Sequence, residues 1–245
     1  MMGAFMLTQV SWRRIRVGVV VFGLLSSVAV APARSEAQAG SDPAAALPQA
    51  IPIFPLQDIM LFPDASRPLH IFEPRYREMV TDALEGDRII GMVMLHAGYE
   101  DEYAGNPPIY DIGCAGVISN VQRLEDGRYN IVLSGLVRFR IISEDQSRSY
   151  RVARIEPLPE PLDDAGRDAL RGHRPLLMQL LASVAPDQAG QAPTPDALPD
   201  EVLVNGLSQF LGMSALDRLD LLRQEGPLAR AESLIGLLER GELSR

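Results

Sequence analysis

The side chains best suited to catalysis or metal binding are three histidines and a single cysteine: His70, His96, His173 and Cys114. A metal site needs several converging ligands, and the sequence contains no HxH, HxxxH or HExxH pattern. We therefore expect no metal and no cofactor. His70 is expected to form a hydrogen bond that ties the end of a strand to the following helix, because buried polar groups are normally paired. Cys114 is expected to be a small core residue.

The sequence also lacks residues that several nucleophilic and nucleotide-dependent enzymes need. All 23 basic residues are arginine, so there is no lysine. A P-loop needs a lysine to reach the phosphates, and a Ser–Lys dyad or a Schiff base needs one as well. No G-x-S-x-G nucleophile elbow is present, and Ser134 is predicted within a strand. These absences predict a protein that is not an enzyme.

Three pairs of neighbouring carboxylates are potential acid–base groups: Asp101-Glu102, Asp163-Asp164 and Asp200-Glu201. The first pair is predicted in a loop and the other two near helix starts, where the helix dipole stabilises acidic side chains. We interpret all three pairs as solvated surface or helix caps, because carboxylate pairs of this kind are common on protein surfaces.

Arginines of the predicted strands could share one face and bind an anion or an acidic segment. We favour the alternative of a solvent-facing surface that also blunts strand pairing, because the chain carries a net charge of −9. The arginines concerned are Arg128, Arg138, Arg140, Arg151 and Arg154. The acidic balance also argues against nucleic acid as a partner.

Strands and one helix are predicted for the first half of the chain. Residues 51–80 indicate two short strands separated by a proline-punctuated turn, followed by a helix with Pro74 in its first turn. The nearly continuous apolar run at 88–95 predicts a strand that is buried on both faces. Asp126-Gly127 indicates a hairpin with a type I′ turn. In residues 137–141 apolar and arginine residues alternate, which predicts one buried and one wet face.

Helical periodicity replaces the strand pattern after the PLPEP boundary at 157–161. We predict one helix at 163–172 and another at 175–184, because Pro175 would kink a continuous helix. A third helix is predicted from Asp200 to near Gly212. Ser214 and Asp217 have the spacing of a capping box. The next helix is predicted to bury Leu216, Leu219 and Leu222 on one face, and a last apolar stripe runs from 228 to 238.

The first 37 residues have the order of regions typical of a secretory signal peptide. Arg13, Arg14 and Arg16 precede a short apolar run at 17–30, and small residues follow. We predict a Sec signal at 1–37, a flexible linker at 38–50, and export to the periplasm or medium with no stable membrane span after processing. The alternatives are an uncleaved membrane anchor, a transit peptide, or a mis-set start codon that would leave the protein cytoplasmic.

Several phrases resemble the Lon protease N-terminal domain family. Pro55-Leu56 and Leu61-Phe62-Pro63 match its PLxxxxLFP phrase, and residues 68–79 match PLHIFEPRYREM. Further matches are Gly113-Cys114-Ala115, residues 126–131 (DGRYNI), 135–141 (GLVRFRI) and 150–153 (YRVA). These segments occur in the same order as in the family and together cover about 100 residues. Several motifs in order are stronger evidence for the fold than any single motif.

The resemblance is nearest to stand-alone members that have neither the ATPase nor the peptidase domain. It implies an α+β fold: a PUA-like β pseudo-barrel with one early helix at 51–158, followed by a C-terminal α-helical bundle at 159–245. It also implies a non-catalytic module that binds unfolded or degron-bearing polypeptide, with a protease as a further partner for which it would be an adaptor.

We predict the polypeptide contacts within the first matching segment, although large aromatic residues also dominate cores. The candidates are Phe54, Phe62, Phe72, Tyr76, Arg75 and Arg77. The rival interpretations are a structural or scaffold partner of an envelope protease, a module that binds a small ligand, and a hydrolase classed as a peptidase. The missing lysine and the missing serine elbow count against the last of these.

Overall fold

Six strands form one mixed sheet in the computed structural model, which describes residues 47–99, 105–184 and 198–243. The strands are β1 (Ala50–Leu56), β2 (Ser66–Ile71), β3 (Ile89–Leu95), β4 (Ile109–Arg123), β5 (Tyr129–Asp145) and β6 (Arg151–Leu158). The order is β2-β5-β4-β3-β1-β6, and β6 also pairs with β5. The pairings therefore close a ring of five strands, and β2 is attached to the outside of this ring through β5.

The elements at 51–95 confirm the prediction made from local patterns. Helix α1 (Pro74–Glu85) begins with Pro74 in its first turn and buries Tyr76, Met79, Val80 and Ala83. Strand β3 is buried at every position, because Ile89 and Val93 belong to one apolar cluster on one face, and Ile90, Met92 and Met94 belong to a second cluster on the other. The predicted signal peptide, most of the predicted linker and the Asp101-Glu102 pair lie outside the described residues.

A small apolar cluster fills the interior of the ring. Its members come from alternate positions of β1, β3, β4, β5 and β6, and no helix contributes: Ile51, Ile53, Ile89, Val93, Ala115, Phe139, Ala153 and Ile155. Glycine is required where strands approach Phe139. A Cβ at Gly91 or Gly113 would lie 2.8 or 2.7 Å from the end of the Phe139 ring, closer than real Cβ atoms approach. The strands of the ring therefore pack closely against the Phe139 side chain.

Helices cover the outer face of the ring. After α1 these are α2 (Asp164–Val184), α3 (Asp200–Phe210), α4 (Ala215–Arg223) and α5 (Pro227–Glu239). The larger apolar cluster joins their side chains to the outward residues of the strands, among them Phe62, Met92, Cys114, Leu177, Leu207 and Leu234. The prediction that Cys114 is a core residue is confirmed. None of the described helices is both long enough and apolar enough to cross a membrane.

The prediction that Pro175 separates two helices is wrong, because α2 continues from Asp164 to Val184 with Pro175 inside it. Proline removes one helical hydrogen bond and crowds the preceding turn. The helix nevertheless buries Leu170, Leu177 and Leu180, and it packs on α3 and α5. Tertiary packing of this face outweighs the local preference of one proline.

The hairpin between β4 and β5 forms at Asp126-Gly127, but its turn is not type I′. Gly127 has a φ of 80°, whereas among the described residues positive φ outside glycine occurs only at Asp64 and Arg88. The Gly127 amide donates to the Leu124 carbonyl at 3.0 Å, and the Leu124 amide donates to the Arg128 carbonyl at 2.8 Å. This is the loop pattern in which a turn is followed by one glycine in the left-handed region.

Ser214 is confirmed as the N-cap of α4, since its Oγ accepts from the Asp217 amide at 3.1 Å, while the Asp217 carboxylate accepts from the Ser214 hydroxyl at 2.6 Å. The predicted buried stripe of this helix is partly wrong. Leu219 and Leu222 are buried, but Leu216 is 52% exposed and Leu221 is buried instead. At 100° per residue, the buried arc is centred between Leu219 and Leu221, and Leu216 lies outside it.

Candidate functional site

The aromatic residues proposed as polypeptide contacts divide between core and surface. Phe54 and Tyr76 are buried with their ring centroids 4.6 Å apart in an edge-to-face arrangement, and Phe62 is fully buried. In this conformation these three rings stabilise the core. Phe72 is 60% exposed and immediately follows β2. It is therefore the aromatic candidate that a partner could reach without rearrangement of the fold.

The two arginine candidates are half-buried on α1. Arg75 Nε forms an ion pair with Glu73 Oε2 at 3.0 Å, and its guanidinium lies 4.6 Å from the centroid of the Tyr76 ring. Arg77 packs against the hairpin, because a Cβ at Gly127 would lie 2.5 Å from Arg77 Nη2. Both arginines thus help to hold α1 in place, and a role in polypeptide binding stays a prediction.

Strand β2 forms an open edge of the sheet. Among the described strands it pairs only with β5. Its outward face carries Pro68, His70 and Phe72, and the His70 and Phe72 rings are stacked with centroids 6.2 Å apart. At the other end, the guanidinium of Arg67 lies 5.0 Å from the centroid of the Phe210 ring, which is 58% exposed. We call these five residues the β2 edge surface.

The hydrogen bonds of His70 differ from the prediction. Its Nδ1 lies 2.7 Å from Asn130 Oδ1 on β5, and its Nε2 lies 3.2 Å from Arg128 Nη1 in the hairpin. His70 is exposed and joins β2 to its neighbouring strand, not to α1. The cause is strand pairing, since His70 and Asn130 are directly opposite in the ladder.

A buried ion-pair network between strands and helices was not predicted from the sequence. Glu160, in the segment after β6, forms ion pairs with Arg138 on β5 and with Arg230 on α5. Arg230 is fully buried, and its Nη2 donates to Glu160 Oε1 at 2.6 Å. Arg230 also donates to Asn205 on α3, while Arg138 Nη1 donates to the Leu222 carbonyl at 2.9 Å. The network connects β5 to three helices.

The network corrects the interpretation of the strand arginines as one solvent-facing surface. Arg138 is buried, and Glu160 compensates its charge. Arg151 is also buried, and its Nη1 forms an ion pair with Glu144 Oε2 at 2.6 Å. Burial lowers the pKa of Arg138, although Glu160 opposes the shift. Arg140 remains exposed. The alternating residues 137–141 contained no signal for this, since the counter-charge of Arg138 is Glu160, which lies outside that pattern in the segment after β6.

A groove with a volume of about 450 Å³ opens beside the network. It lies between the β1–β2 loop, β5, the segment after β6, and helices α3 and α5. Its apolar lining is Pro63, Leu136, Val137, Pro159, Pro161 and Pro227, and its polar lining is Asp64, Glu160, Glu201 and Asn205. We call this the proline groove. Proline has no backbone N–H, so these walls offer few donors to a ligand.

The carboxylates of the proline groove have different environments. Partial burial raises the pKa of Asp64, and the nearby Glu160 and Glu201 raise it further, while a hydrogen bond from Asn205 opposes the shift. The backbone at Asp64 is left-handed, with a φ of 59°, and its amide donates to the Gly135 carbonyl at 3.1 Å. The predicted Asp200-Glu201 pair is split, because Asp200 forms an ion pair with Arg174.

Chemistry at the remaining candidates has little structural support. Burial raises the pKa of the Cys114 thiol, which disfavours the reactive thiolate. Within the three described ranges, no group of three or more His, Cys, Asp or Glu side chains is arranged to hold a metal ion. What the described residues do present is an open strand edge, exposed rings and an acidic groove with apolar walls.

Comparison with known proteins finds Lon proteases. The chain is 28% identical over 203 residues to the Lon protease of Trichlorobacter lovleyi, which covers 79% of this chain and 24% of that protein. It is 34% identical over 113 residues to Lon protease 2 of Sorangium cellulosum, which covers 46% of this chain and 14% of that protein. The chain thus spans about a quarter or less of the length of these curated relatives.

Solved structures of Lon N-terminal domains share the fold. The N-terminal domain of the Mycobacterium avium complex Lon protease matches with a TM-score of 0.60 at 16% identity, over 78% of this chain and 98% of that one. A Lon N-terminal domain protein from Xanthomonas campestris matches with a TM-score of 0.51 at 23% identity, over 76% and 97%. The family model of the ATP-dependent protease La (LON) substrate-binding domain matches residues 50–240. The chain therefore belongs to the LON substrate-binding domain family.

Proposed function

We propose that this chain is a non-catalytic module that binds unfolded or degron-bearing polypeptide and acts as an adaptor to a protease. The observation that carries the proposal is the match of residues 50–240 to a substrate-binding domain. The open strand edge and the proline groove support it, because both are accessible surfaces suited to an extended chain.

The β2 edge surface suits the first contact with such a chain. An added strand would pair with backbone groups of β2 beyond Ser66, whose carbonyl already accepts from Gln209 Nε2 at 3.0 Å. Phe72 and Phe210 are exposed near opposite ends of β2 and supply apolar contacts. Pro68 lacks an N–H donor, so the pairing would be interrupted at that residue. Partial pairing of this kind favours binding that does not depend on one sequence.

The finer architecture belongs to the same proposal. We propose that the five-stranded ring is a PUA-like pseudo-barrel and that α2 to α5 are a bundle that completes the domain. The closed ring of pairings and the contacts of α2 and α3 with α5 support this arrangement.

The binding test uses the full chain and two forms of one labelled protein. Fluorescence anisotropy would compare native α-lactalbumin with its reduced, carboxymethylated form, which cannot refold. We expect binding of the unfolded form only, and no hydrolysis of casein by the pure protein. The double variant Phe72→Ser/Phe210→Ser should weaken binding at least tenfold, since two rings that each contribute on the order of 1 kcal/mol together exceed the roughly 1.4 kcal/mol of a tenfold change. Equal binding of both forms, or of neither, would contradict the proposal.

A matched control distinguishes binding at the β2 edge surface from nonspecific hydrophobic binding. Ile142 is 54% exposed in the half of β5 that pairs with β6, whereas β2 pairs with residues 129–134 at the other end of β5. Ile142→Ser should leave the affinity for unfolded lactalbumin unchanged within about twofold. If it weakens binding as strongly as the double variant does, contact is not localised at the β2 edge surface.

Export is a separate proposal that rests on the sequence of residues 1–37. We propose cleavage by signal peptidase and a periplasmic or secreted mature protein, so that the protease partner would be an envelope enzyme. Cell fractionation and the intact mass of the tagged protein test it. A mature mass that begins near Arg34 or Gln38 is expected, and an intact cytoplasmic chain would disprove export.

A further inference from the structure

We propose that the proline groove accepts a basic side chain of the bound polypeptide, so that the module prefers extended apolar segments that contain arginine or lysine. The inference rests on the proposed function and names the class of substrate. It concerns a surface distinct from the exposed rings of the β2 edge surface, and it gives the acidic lining of the groove a role.

The shape of the groove is the first argument. Six of its lining residues are apolar and four of these are prolines, at positions 63, 159, 161 and 227. Proline walls are rigid and lose little conformational entropy when a ligand binds. The aliphatic stem of arginine or lysine packs well on such walls while its charged end extends to a polar group. A short or purely polar side chain would leave the walls uncovered.

The charge of the groove is the second argument. Glu160 is paired with Arg138 and Arg230, two buried arginines that do not line the groove. Asp64 and Glu201 have no basic side chain within ion-pair distance in the part of the chain that the structure describes. Two carboxylates without a bound cation therefore face the same groove, in a chain with a net charge of −9. A cationic side chain complements this charge, and an acidic one is repelled.

The support of Asp64 is the third argument. Asn205 is buried, lines the groove together with Asp64, and accepts a hydrogen bond from Arg230 at its Oδ1. The ion-pair network thus extends to the lining of the groove. The repulsion that Asp64 experiences from Glu160 and Glu201 would be relieved by a bound cation.

The test uses the full chain and three fluorescein-labelled 14-residue peptides of leucine, valine, serine and glycine that differ only at the centre: arginine, glutamine or glutamate. We expect the arginine peptide to bind about fivefold tighter than the glutamine peptide, and the glutamate peptide to bind more weakly than both. The preference should shrink between 50 mM and 500 mM salt, because a partly exposed ion pair is screened.

Variants locate the preference within the groove. Glu201→Gln and Asp64→Asn should each reduce the arginine preference to about twofold, and the glutamine peptide should bind them as it binds wild type. Asparagine tolerates the left-handed backbone of position 64. Glu239→Gln is the control, since Glu239 is an exposed residue at the end of α5 and outside the groove lining.

Each outcome has one meaning. If wild type binds the arginine and glutamine peptides equally, if neither groove variant changes the preference, or if no peptide binds although unfolded lactalbumin does, the inference is wrong and the proposed function stands. If no peptide binds, and unfolded lactalbumin does not bind either, the proposed function fails and this inference fails with it.

Discussion

Removal of the negative charge of Glu160 should destabilise the fold more than removal of an exposed carboxylate. The variant Glu160→Gln leaves Arg138 and Arg230 buried next to each other without a counter-charge. Loss of one partner from a buried ion pair costs about 3–5 kcal/mol. Glu160 borders the open proline groove, so water can partly solvate the cations. We therefore expect a loss of about 3 kcal/mol in the free energy of unfolding.

Equilibrium unfolding in urea, followed by far-UV circular dichroism, measures this change. A loss of about 3 kcal/mol corresponds to a fall in Tm of roughly 6–12 °C for a domain of this size. Glu239→Gln is the matched control and should change the free energy by less than about 0.5 kcal/mol. The slope of the free energy against urea concentration should stay the same in both variants, because the surface exposed on unfolding is unchanged.

Removal of all three charges of the network should rescue stability. Arg138→Met/Glu160→Gln/Arg230→Met removes both buried cations together with the carboxylate, and it should recover much of the loss of Glu160→Gln, because apolar replacements of a whole buried network are often tolerated. A loss below about 1 kcal/mol for Glu160→Gln would refute the assignment of an essential counter-charge. A triple variant less stable than Glu160→Gln would show that the hydrogen bonds of the arginines to helix carbonyls dominate instead.

Three further predictions follow from local environments. Gly113→Ala should lower the free energy of unfolding in urea by roughly 2–3 kcal/mol, because its Cβ would overlap the Met92 carbonyl oxygen. Gly172→Ala in α2 has open space and should raise that free energy by about 0.5–1 kcal/mol, so equal effects of the two variants would contradict the packing of the ring. Cys114 should react with Ellman's reagent only after unfolding, since burial raises the pKa of its thiol. Because the pKa of Asp64 is raised on folding, its charge opposes the folded state above that pKa and not below its ordinary value of 3.8. Asp64→Asn should therefore stabilise at pH 7 but not at pH 3, and a stabilisation larger at pH 3 would show that the sign is wrong.

Local patterns in the sequence predicted the elements where neighbouring residues decide the structure. The strand buried on both faces at 89–95, the helix that begins at Pro74 and the cap at Ser214 are confirmed. Each depends on residues within a few positions of one another. Pro175 does not end the helix as its local effect predicts, because the packing of a whole helix face on α3 and α5 opposes that effect.

The sequence by itself determined the family and, apart from the division of α2 at Pro175, the order of the strands and helices in the described residues, since periodicity, caps and the run of motifs are properties of short segments. Only the tertiary structure decided which polar residues are buried and which rings are exposed. The alternating pattern predicts a solvent-facing Arg138, whereas in the structure Arg138 is buried in an ion pair with Glu160. The sequence does not distinguish Phe62 from Phe72, but in the structure Phe62 is buried and Phe72 is exposed. The reason is physical: burial depends on which distant segments meet in space, and the proline groove exists only where five such segments do.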